Sequence, residues 1–491
     1  MSVPSILSAN ASSIVVGAVA LVLGYWFFGR RQKNLPPGPT PIPVLGNVLS
    51  LGRFKSLAEA LTNYQKKYGN IFTIHLGTNR AVVLCGNEMI REGLISNADT
   101  LSDRPNNLTT PRVFSSNFKS LMTDNENWKN NRKVTLHAMR DFGLGKKSID
   151  ERVYEEAKQF CDYLATMEGQ VVDMKMHLMK AFSNIICTIV FGDRFEYNDK
   201  RFVHLLHLLD YLMASMGSEA AIMDNMPWLI YLPYFRGRYN NFIKANRDVE
   251  NYIQDIIEDH KVTFDPENVR DFIDLYLKSD PSNERTALVT IKELFFAGTD
   301  TSGTSTSWAF LLLAKYPEIQ KKCREEIRKV IGSGRGPKTS DRGSLPYTEA
   351  TLHEVQRLQT IVPLAVPHLA REDTRLAGYD LPKGTAVFAY LDSAHHDPNV
   401  WPDHDEFKPE RWLDQAGKFD PKSPAFIPFS VGRRACLGEQ LAKVELFVIF
   451  VAVLQQFEFS PEPGTEVSLE GNLGLTWAPA NSSLVVRKKE L

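Results

Sequence analysis

The chain has 491 residues, of which 43% are hydrophobic and 23% charged, a globular composition with enough apolar material for a large core. The net charge of −1 at pH 7 gives no basic field of the kind that binds nucleic acid, so we expect no nucleic-acid partner. The five cysteines are widely scattered, with no Cys-x-x-Cys pair and no zinc spacing, so neither a disulfide framework nor a zinc site is indicated.

An uncharged apolar stretch begins the chain. No acidic or basic side chain precedes Arg30, and residues 14–28 are continuously apolar or small. With the milder residues before it, the run approaches the ~20 residues that span a bilayer, and aromatic residues at its end are typical of a membrane interface. A cleaved signal peptide is the alternative, but the run lacks a preceding positive residue and a following small-x-small site. Residues 1–29 are therefore predicted to form a transmembrane anchor.

Basic residues and prolines follow this predicted anchor. Arg30, Arg31 and Lys33 come directly after it, and the positive-inside rule places that side in the cytosol. The dense prolines of residues 35–43 keep the backbone extended and semi-rigid. Residues 30–45 are therefore predicted to be a hinge, either a plain linker or a stiff spacer. No repeat or linker divides residues 46–491, which we expect to form a single domain.

A helix, two short strands and a long loop are predicted next. Residues 56–68 have an amphipathic helical pattern, and residues 71–76 and 81–85 read as strands around a Gly-Thr-Asn turn. Residues 103–127 are polar and irregular, and long loops in compact domains are often functional. This part of the chain therefore starts a small β-rich lobe.

Residues 127–139 are predicted to form a helix. Trp128 and Arg132 are spaced four apart and share one face, although such a pair is by itself often a cation–π or surface pair. Lys129, Lys133 and Arg140 lie elsewhere on the helix and form either a solvated face or a docking surface for an acidic partner.

The middle of the chain is rich in helical patterns, at residues 151–167, 174–191, 201–216 and 239–260. Between them, residues 221–234 are apolar, interrupted by proline and too short to span a membrane. Three interpretations of this segment remain open, namely core, a substrate-entry lid and a membrane-dipping element.

A very long helix is predicted over residues 282–316, and residues 296–302 at its centre read Phe-Ala-Gly-Thr-Asp-Thr-Ser. Small residues such as Ala297 let a flat ligand lie against the backbone. The Thr301 hydroxyl can bond the Ala297 carbonyl and bend the helix, and an acid beside an alcohol, here Asp300, can relay protons to dioxygen. A polar kink without chemistry is the alternative.

Two further patterns precede the C-terminal region. Glu354 and Arg357 share a helix face, and Arg411 follows in a Pro-Glu-Arg-Trp sequence. An exposed pair of this kind would contribute only about 0.3–0.5 kcal/mol. Residues 360–369 are apolar and kept extended by two prolines, and His368 near their end is by itself most simply a packed residue. Residues 376–390 are predicted to form a hairpin.

Residues 429–438 read Phe-Ser-Val-Gly-Arg-Arg-Ala-Cys-Leu-Gly, and residues 437–457 after them read as a mostly apolar helix. Gly432 and Gly438 permit turns with positive φ, so Cys436 would lie at a helix N-terminus that favours an anionic sulfur. A thiolate is a natural axial ligand for haem iron and favours O–O cleavage. A buried structural cysteine is the alternative.

The ungapped pattern Phe-x-x-Gly-x-Arg-x-Cys-x-Gly resembles the haem-binding loop of the cytochrome P450 family, and specifically its animal microsomal members. The other patterns occur in the family's order along nearly the whole chain. The resemblance implies a mostly α fold with a smaller β-rich lobe, and haem b (iron protoporphyrin IX) as the cofactor with Cys436 as its iron ligand. The residues that it implies for cofactor binding are Trp128, Arg132, Ala297, His368, Phe429, Arg434 and Gly438.

The resemblance also implies roles for other residues. It assigns oxygen activation to Thr301 and proton delivery to Asp300, and this threonine argues against family members that rearrange peroxides. It implies that Glu354, Arg357 and Arg411 form an internal ionic cluster, and that Trp412, in place of the commoner Phe, matters little. The residues that it implies for the substrate pocket are Phe114, Phe118, Phe296, Val362, Ala365, Val366 and Leu475.

By this resemblance, the expected reaction is insertion of one atom of O2 into a lipophilic fatty acid, steroid or xenobiotic. No dinucleotide or flavin motif occurs in the chain, so electrons from NADPH would need a separate flavoprotein reductase, with cytochrome b5 as a further possible donor. The resemblance implies the endoplasmic reticulum membrane, contact with its lipid, and a domain facing the cytosol. The alternatives are a haem-thiolate isomerase or dehydratase that needs no external electrons, and a non-catalytic haem protein that binds ligands.

Overall fold

The structure, a computed structural model, describes residues 34–105, 121–122, 125–142, 147–217, 219–279, 284–421 and 423–489, together with position 17. The predicted anchor therefore lies outside the described residues except for Gly17, and so do Phe114 and Phe118 of the predicted pocket. Within the described ranges, no helix combines the length and the apolar character that crossing a bilayer requires.

The described chain is mostly helical. Its α-helices are α1 (Val48–Leu51), α2 (Leu57–Tyr68), α3 (Asn87–Arg91), α4 (Asn125–Asp141), α5 (Lys147–Ala165), α6 (Met174–Val190), α7 (Lys200–Met216), α8 (Glu219–Asn225), α9 (Pro233–Thr263), α10 (Phe272–Ser279), α11 (Glu284–Lys315), α12 (Pro317–Val330), α13 (Pro346–Leu358), α14 (Asp392–His395) and α15 (Glu439–Gln456). A π-helical turn (Glu92–Ser96) and three 3-10 turns (Pro227–Tyr231, Thr339–Ser344 and Pro409–Trp412) complete the helical elements.

Two helices form the centre of the largest hydrophobic cluster. Helix α11 is buried along most of its length, and it packs chiefly against α6 while also contacting α9, α15 and β10 (Trp477–Pro479). Helix α15 is mostly apolar, as its sequence predicts, and its residues 445–455 are all buried, which fits a helix that lies inside a protein. The predicted bounds of both helices agree with the observed bounds to within two residues.

The strands among the described residues are short and lie in four small sheets. They are β1 (Ile71–Leu76), β2 (Asn79–Cys85), β3 (Val171–Asp173), β4 (His368–Leu369), β5 (Thr374–Leu376), β6 (Tyr379–Leu381), β7 (Ala386–Tyr390), β8 (Phe457–Ser460), β9 (Gly471–Leu473), β10 and β11 (Ser483–Lys488). The largest sheet has the order β1-β2-β7-β4, with β2 and β7 parallel and its other pairs antiparallel. The others are β3-β11-β8, β5-β6 and β9-β10.

The predicted hairpin over residues 376–390 is wrong. The chain turns at Ala377 and Gly378, which both have positive φ, so β5 pairs with β6 instead. Pro382 and Gly384 then turn the chain a second time, and β7 joins the sheet of β2 and β4. The prediction took this stretch as one hairpin and did not use the two turn signals in it, Gly378 and the Pro382–Gly384 pair.

The apolar segment at residues 221–234 is amphipathic. It forms the end of α8, a 3-10 turn and the start of α9. Met223, Met226 and Leu229 are buried, whereas Trp228 and Tyr231 are exposed. The inner side of the segment thus belongs to the core, and its outer side presents aromatic rings to the surroundings.

Candidate active site

The loop before α15 has the tight backbone that its glycines predict, but only one of them uses positive φ. Gly432 has φ of 81°, and a Cβ there would lie 2.1 Å from the Leu94 carbonyl oxygen, so no larger residue fits. Gly438 has φ of −86°, so the expectation of positive φ is wrong for this residue. A Cβ at Gly438 would be 3.9 Å from Cys436 Sγ, an ordinary van der Waals contact, so Gly438 lies beside the sulfur without being required there for space.

Cys436 differs from the other four cysteines, which are buried, because its side chain has accessible surface. Burial by the surrounding protein nevertheless raises the pKa of its thiol, while backbone N–H groups of Gly438 and Glu439 and the charge of Arg132 oppose that rise. The thiol is therefore surrounded by protein atoms and still keeps accessible surface. The sulfur is thus directed into the protein interior with donors that stabilise its anion.

The centre of α11 also has accessible surface. Ala297 is exposed and Thr301 partly exposed, although the helix around them is buried. The Thr301 hydroxyl donates to the Ala297 carbonyl at 2.6 Å, which confirms the predicted back-bond. A Cβ at Gly298 would lie 2.3 Å from Ile186 Cγ1, so the glycine lets α11 and α6 approach closely. The polar stretch is therefore part of a continuous, tightly packed helix.

Asp300 is directed away from solvent. Its Oδ2 accepts a hydrogen bond from Thr476 at 2.8 Å, and its Oδ1 lies 3.8 Å from Lys175 Nζ. Burial raises the pKa of the Asp300 carboxyl, and the Lys175 charge opposes that rise. Lys175 also donates to Asp210, a side chain that is 38% exposed. Charged groups therefore connect the buried acid beside Thr301 to the protein surface.

A positively charged cluster surrounds Trp128. Its ring is buried and lies 3.9 Å from the Arg434 guanidinium carbon, so the cation over Trp128 is Arg434 rather than the Arg132 of the sequence pattern. Arg434 also donates to the carbonyls of Ser102 and Leu121. Burial lowers the pKa of the Arg132 guanidinium, and the Cys436 charge opposes that shift, so Arg132 lies near the sulfur.

His368 and Arg104 extend this positive cluster. His368 is buried and its Nδ1 donates to the Leu101 carbonyl at 2.7 Å. Burial lowers the His368 pKa well below its usual value, and the charges of Arg104 and Arg434 lower it further. Because Nδ1 carries the proton of the neutral ring, Nε2 can donate to a carboxylate only in the imidazolium form. His368 can therefore donate to a propionate only after its ring takes up a second proton, and the negative charge of the propionate would favour that imidazolium form.

Arg104 is a site residue that the sequence interpretation missed. It is buried and donates to the carbonyls of Val366 and Pro367 at 2.6 and 2.8 Å. The sequence signal was a charged residue in front of Pro105, at the start of the long loop. No helical or strand pattern includes it, and its burial depends on a segment 262 residues away.

The predicted pocket residues are not equally available. Val362, Val366 and Leu475 are partly exposed, whereas Phe296 is 2% and Ala365 9% exposed. Ala365 also has a positive φ of 50°, which turns the chain between the two prolines. The first three residues thus offer the larger apolar surface.

The predicted ionic cluster assembles around a fully buried carboxylate, Glu354. Arg357 donates to it twice, and Arg411 and the Trp412 indole each donate at 2.9 Å. Lys408 contributes its backbone N–H at 3.0 Å. The expectation that Trp412 matters little is therefore wrong, because the Phe that is commoner there has no group to donate.

The site residues fit a flat iron-binding ring with carboxylates. Cys436 offers one accessible sulfur, and Ala297 with Gly298 offers a small-residue surface. Arg104 and Arg434 depress the His368 pKa, which shows the positive potential that carboxylates need. In haem b, the sulfur suits the iron, the small-residue surface suits the flat ring, and the two arginines suit the propionates.

The comparisons agree with this donor set. The family model described as Cytochrome P450 matches residues 36–486. The chain belongs to the cytochrome P450 family. It is 40% identical to cytochrome P450 2J2 of Homo sapiens over 484 residues, which cover 96% of this chain and 95% of that relative. It is also 40% identical to cytochrome P450 2B4 of Oryctolagus cuniculus over 451 residues, covering 90% and 91% respectively.

Membership confirms the resemblance that the sequence carries. Cytochromes P450 bind haem b, and this chain is an oxidoreductase of the monooxygenase type. Cytochrome P450 2G1 of Rattus norvegicus, 40% identical over 446 residues that cover 89% of this chain and 90% of that relative, is a further similar protein. The fold is mostly α with a smaller β portion, as the sequence predicts.

We predict that Trp412→Phe destabilises this cytochrome P450, because it removes a donor from a buried carboxylate while keeping an aromatic ring. The free energy of unfolding should fall by about 1.5–3 kcal/mol, and haem should be lost faster on heating. Trp401→Phe is the matched control, since the Trp401 indole donates to the neutral Ala394 carbonyl at 2.9 Å. Equal losses in the two variants, measured by chemical unfolding and by decay of the haem absorption, would contradict the prediction.

Proposed function

We propose that this cytochrome P450 inserts one atom of O2 into a C–H or C=C bond of a lipophilic fatty acid, steroid or xenobiotic. Electrons come from NADPH through a separate flavoprotein reductase, with cytochrome b5 as an additional donor. The single observation that carries the proposal is the enclosed but accessible Cys436 sulfur with its anion-stabilising donors. Thr301 and Asp300 support the oxygen chemistry, because members that dispense with dioxygen typically lack this threonine.

The cofactor-binding roles are assigned as follows. Bound haem supplies the redox-active iron at which dioxygen is reduced, and Cys436 holds that iron. Arg132, Arg434 and Arg104 bind its carboxylates, and His368 joins them when it is protonated. The remaining residues shape and orient the ring site, namely Trp128, Ala297, Phe429 and Gly438.

Thr301 and Asp300 manage protons in this proposal. The Thr301 hydroxyl directs its own proton to the Ala297 carbonyl, which leaves the oxygen lone pairs available to accept a hydrogen bond. Asp300, whose pKa is raised by burial, retains a proton more readily than an exposed carboxyl and supplies it. Lys175 and Asp210 connect that acid to solvent, which supports its resupply.

The substrate contacts of this proposal are apolar. Val362, Val366 and Leu475 provide accessible surface, and Phe296 and Ala365 lie behind them as packing. Phe114 and Phe118 remain proposed contacts from the sequence alone.

The proposed location is the endoplasmic reticulum membrane, with the catalytic domain in the cytosol. Residues 1–29 act as the anchor, residues 30–45 as the hinge and residues 46–491 as the single catalytic domain. The uncharged apolar start and the following Arg30, Arg31 and Lys33 support this orientation. The exposed rings of Trp228 and Tyr231 support contact with membrane lipid.

A first test concerns the sulfur. Reduced protein treated with carbon monoxide should show the strongly red-shifted Soret band of thiolate ligation, and Cys436→Ser should lose it because an alcohol does not ionise near neutral pH. Cys161→Ala, which removes a buried thiol, should keep the band. A wild-type spectrum of imidazole ligation would contradict the proposal.

A second test concerns Thr301. Thr301→Ala should lower the product formed per NADPH consumed severalfold and release peroxide. The reason is that no hydroxyl oxygen then remains at this position to accept a hydrogen bond and hold the delivered proton in place. Thr301→Ser keeps a hydroxyl and should retain most of the coupling. NADPH and peroxide assays with a screened lipophilic substrate measure both values. Full coupling in the alanine variant would refute the role.

A third test concerns the reductase. Helix α4 directs Trp128 inward and exposes Lys129, Lys133 and Arg140, which suits an acidic electron donor. Reversing the charge of Lys129 and Lys133 to Glu should slow reductase-driven haem reduction at least about tenfold at low salt and much less at high salt.

The control for this charge reversal is Lys66→Glu with Lys67→Glu on α2, two lysines that are also exposed. Their reversal should leave the rate unchanged, and dithionite should reduce all variants equally. A low-salt rate that does not distinguish the two double variants would count against docking at α4.

A further inference from the structure

The neighbours of Thr301 on both sides are anchored by buried carboxyl groups. Asp300 accepts a hydrogen bond from Thr476 in the turn between β9 and β10, and Ser302 donates a hydrogen bond to Glu445 on α15. Residues 298–303 read Gly-Thr-Asp-Thr-Ser-Gly, a sequence with poor helix propensity. The backbone position of Thr301 therefore depends on tertiary contacts rather than on the helix itself.

Glu445 is the less expected of the two acids. It is 1% exposed and lies in a mostly apolar helix, and the Ser302 hydroxyl donates to its Oε2 at 3.1 Å. Its Oε1 has no hydrogen-bond partner among the described residues. Burial raises the pKa of Glu445 to about 8, opposed by the Ser302 hydrogen bond, so the carboxyl is mostly neutral at pH 7.

A buried carboxyl of this kind lowers the stability of the fold, so its presence suggests a role other than packing. Removing even a neutral polar group from water without full pairing costs about 1–3 kcal/mol, and an apolar residue would fill the same position without that cost. Glu445 accepts its hydrogen bond from Ser302, the residue after Thr301. The same helix begins three residues after Cys436, so the bond joins the two chain segments that carry the proposed chemistry.

We propose that Glu445 is a positioning residue for oxygen activation, which holds Ser302 and thereby fixes the orientation of Thr301 relative to the segment that carries Cys436. This inference rests on the proposed monooxygenase function. In this proposal Glu445 acts through its hydrogen bond with Ser302. Its acceptor oxygen is the essential feature, and its negative charge is not required.

Three contacts together define the Thr301 backbone. Gly303 approaches α6 closely, since a Cβ there would lie 3.1 Å from Met179 Cγ. Asp300 fixes one side through Thr476, and Ser302 fixes the other through Glu445. Without the Glu445 bond, α11 remains packed against α6 but loses the restraint on its rotation at Ser302.

The test compares Ser302→Ala, Glu445→Leu and Glu445→Gln in the full-length holoenzyme. Ser302→Ala and Glu445→Leu should each lower product per NADPH roughly two- to tenfold, the range that loss of one hydrogen bond supports, with peroxide rising. Haem content and the thiolate spectrum should stay at wild-type values. Glu445→Gln keeps an acceptor oxygen and should restore coupling, and the double variant Ser302→Ala with Glu445→Leu should be no worse than the lower single variant.

The matched control is Ser307→Ala. Ser307 is also a fully buried hydroxyl on α11, and its Oγ has no hydrogen-bond partner in the part of the chain that the structure describes. Its removal should leave coupling unchanged.

Wild-type coupling in Ser302→Ala and Glu445→Leu would overturn the inference alone, as would a Glu445→Gln variant as uncoupled as Glu445→Leu. A wild-type protein without the thiolate spectrum or NADPH-dependent product would instead overturn the proposed function, and this inference with it.

Discussion

A sulfur that must be anionic inside a protein needs donors that its own loop supplies, and much of this structure follows from that need. The loop around Cys436 turns at Gly432 against the Leu94 carbonyl, and the helix that begins after Gly438 presents its first N–H groups to the sulfur. Burial raises the pKa of all five thiols, and side-chain hydroxyls oppose that rise at Cys85, Cys187 and Cys323. At Cys436 the opposing donors are backbone N–H groups at the start of a helix, together with the charge of Arg132.

The helix α11 solves the converse problem, which is to keep polar groups inside an apolar core. Some of its hydroxyl and carboxyl groups are hydrogen-bonded within the helix, as Thr301 is to Ala297, and others to different elements, as Asp300 is to Thr476 and Ser302 to Glu445. Each bond satisfies a group that would otherwise be costly to bury, and each also restricts the helix. Chemistry and rigidity therefore come from the same contacts.

The sequence predicted the features that depend on local pattern and failed where distant segments decide. The bounds of α11 and α15, the Thr301 back-bond and the assembly of Glu354, Arg357 and Arg411 follow from spacing and family pattern. The partner of Trp128 could not follow, since Arg434 is more than 300 residues away and comes over the ring only in the folded chain. The donor role of Trp412 was missed because an indole and a phenyl ring fill similar space in a pattern. The burial of Arg104 and Glu445 was equally hidden, because charge in a sequence normally indicates solvent.

The turn between β1 and β2 lies against a distant part of the chain at Gly77, where a Cβ would lie 2.4 Å from the Asn225 carbonyl oxygen. A Cβ at Gly46 would likewise lie 2.6 Å from the Gly77 carbonyl oxygen, so the backbone is closely packed on both sides of this turn. Asn79 donates to the side chain of Asn225 from the same turn. The turn between β1 and β2 therefore joins the chain around Gly46 to the segment that follows Asn225. A longer turn at Gly77 would push these two chain segments apart, because a residue with a Cβ does not fit against the Asn225 carbonyl.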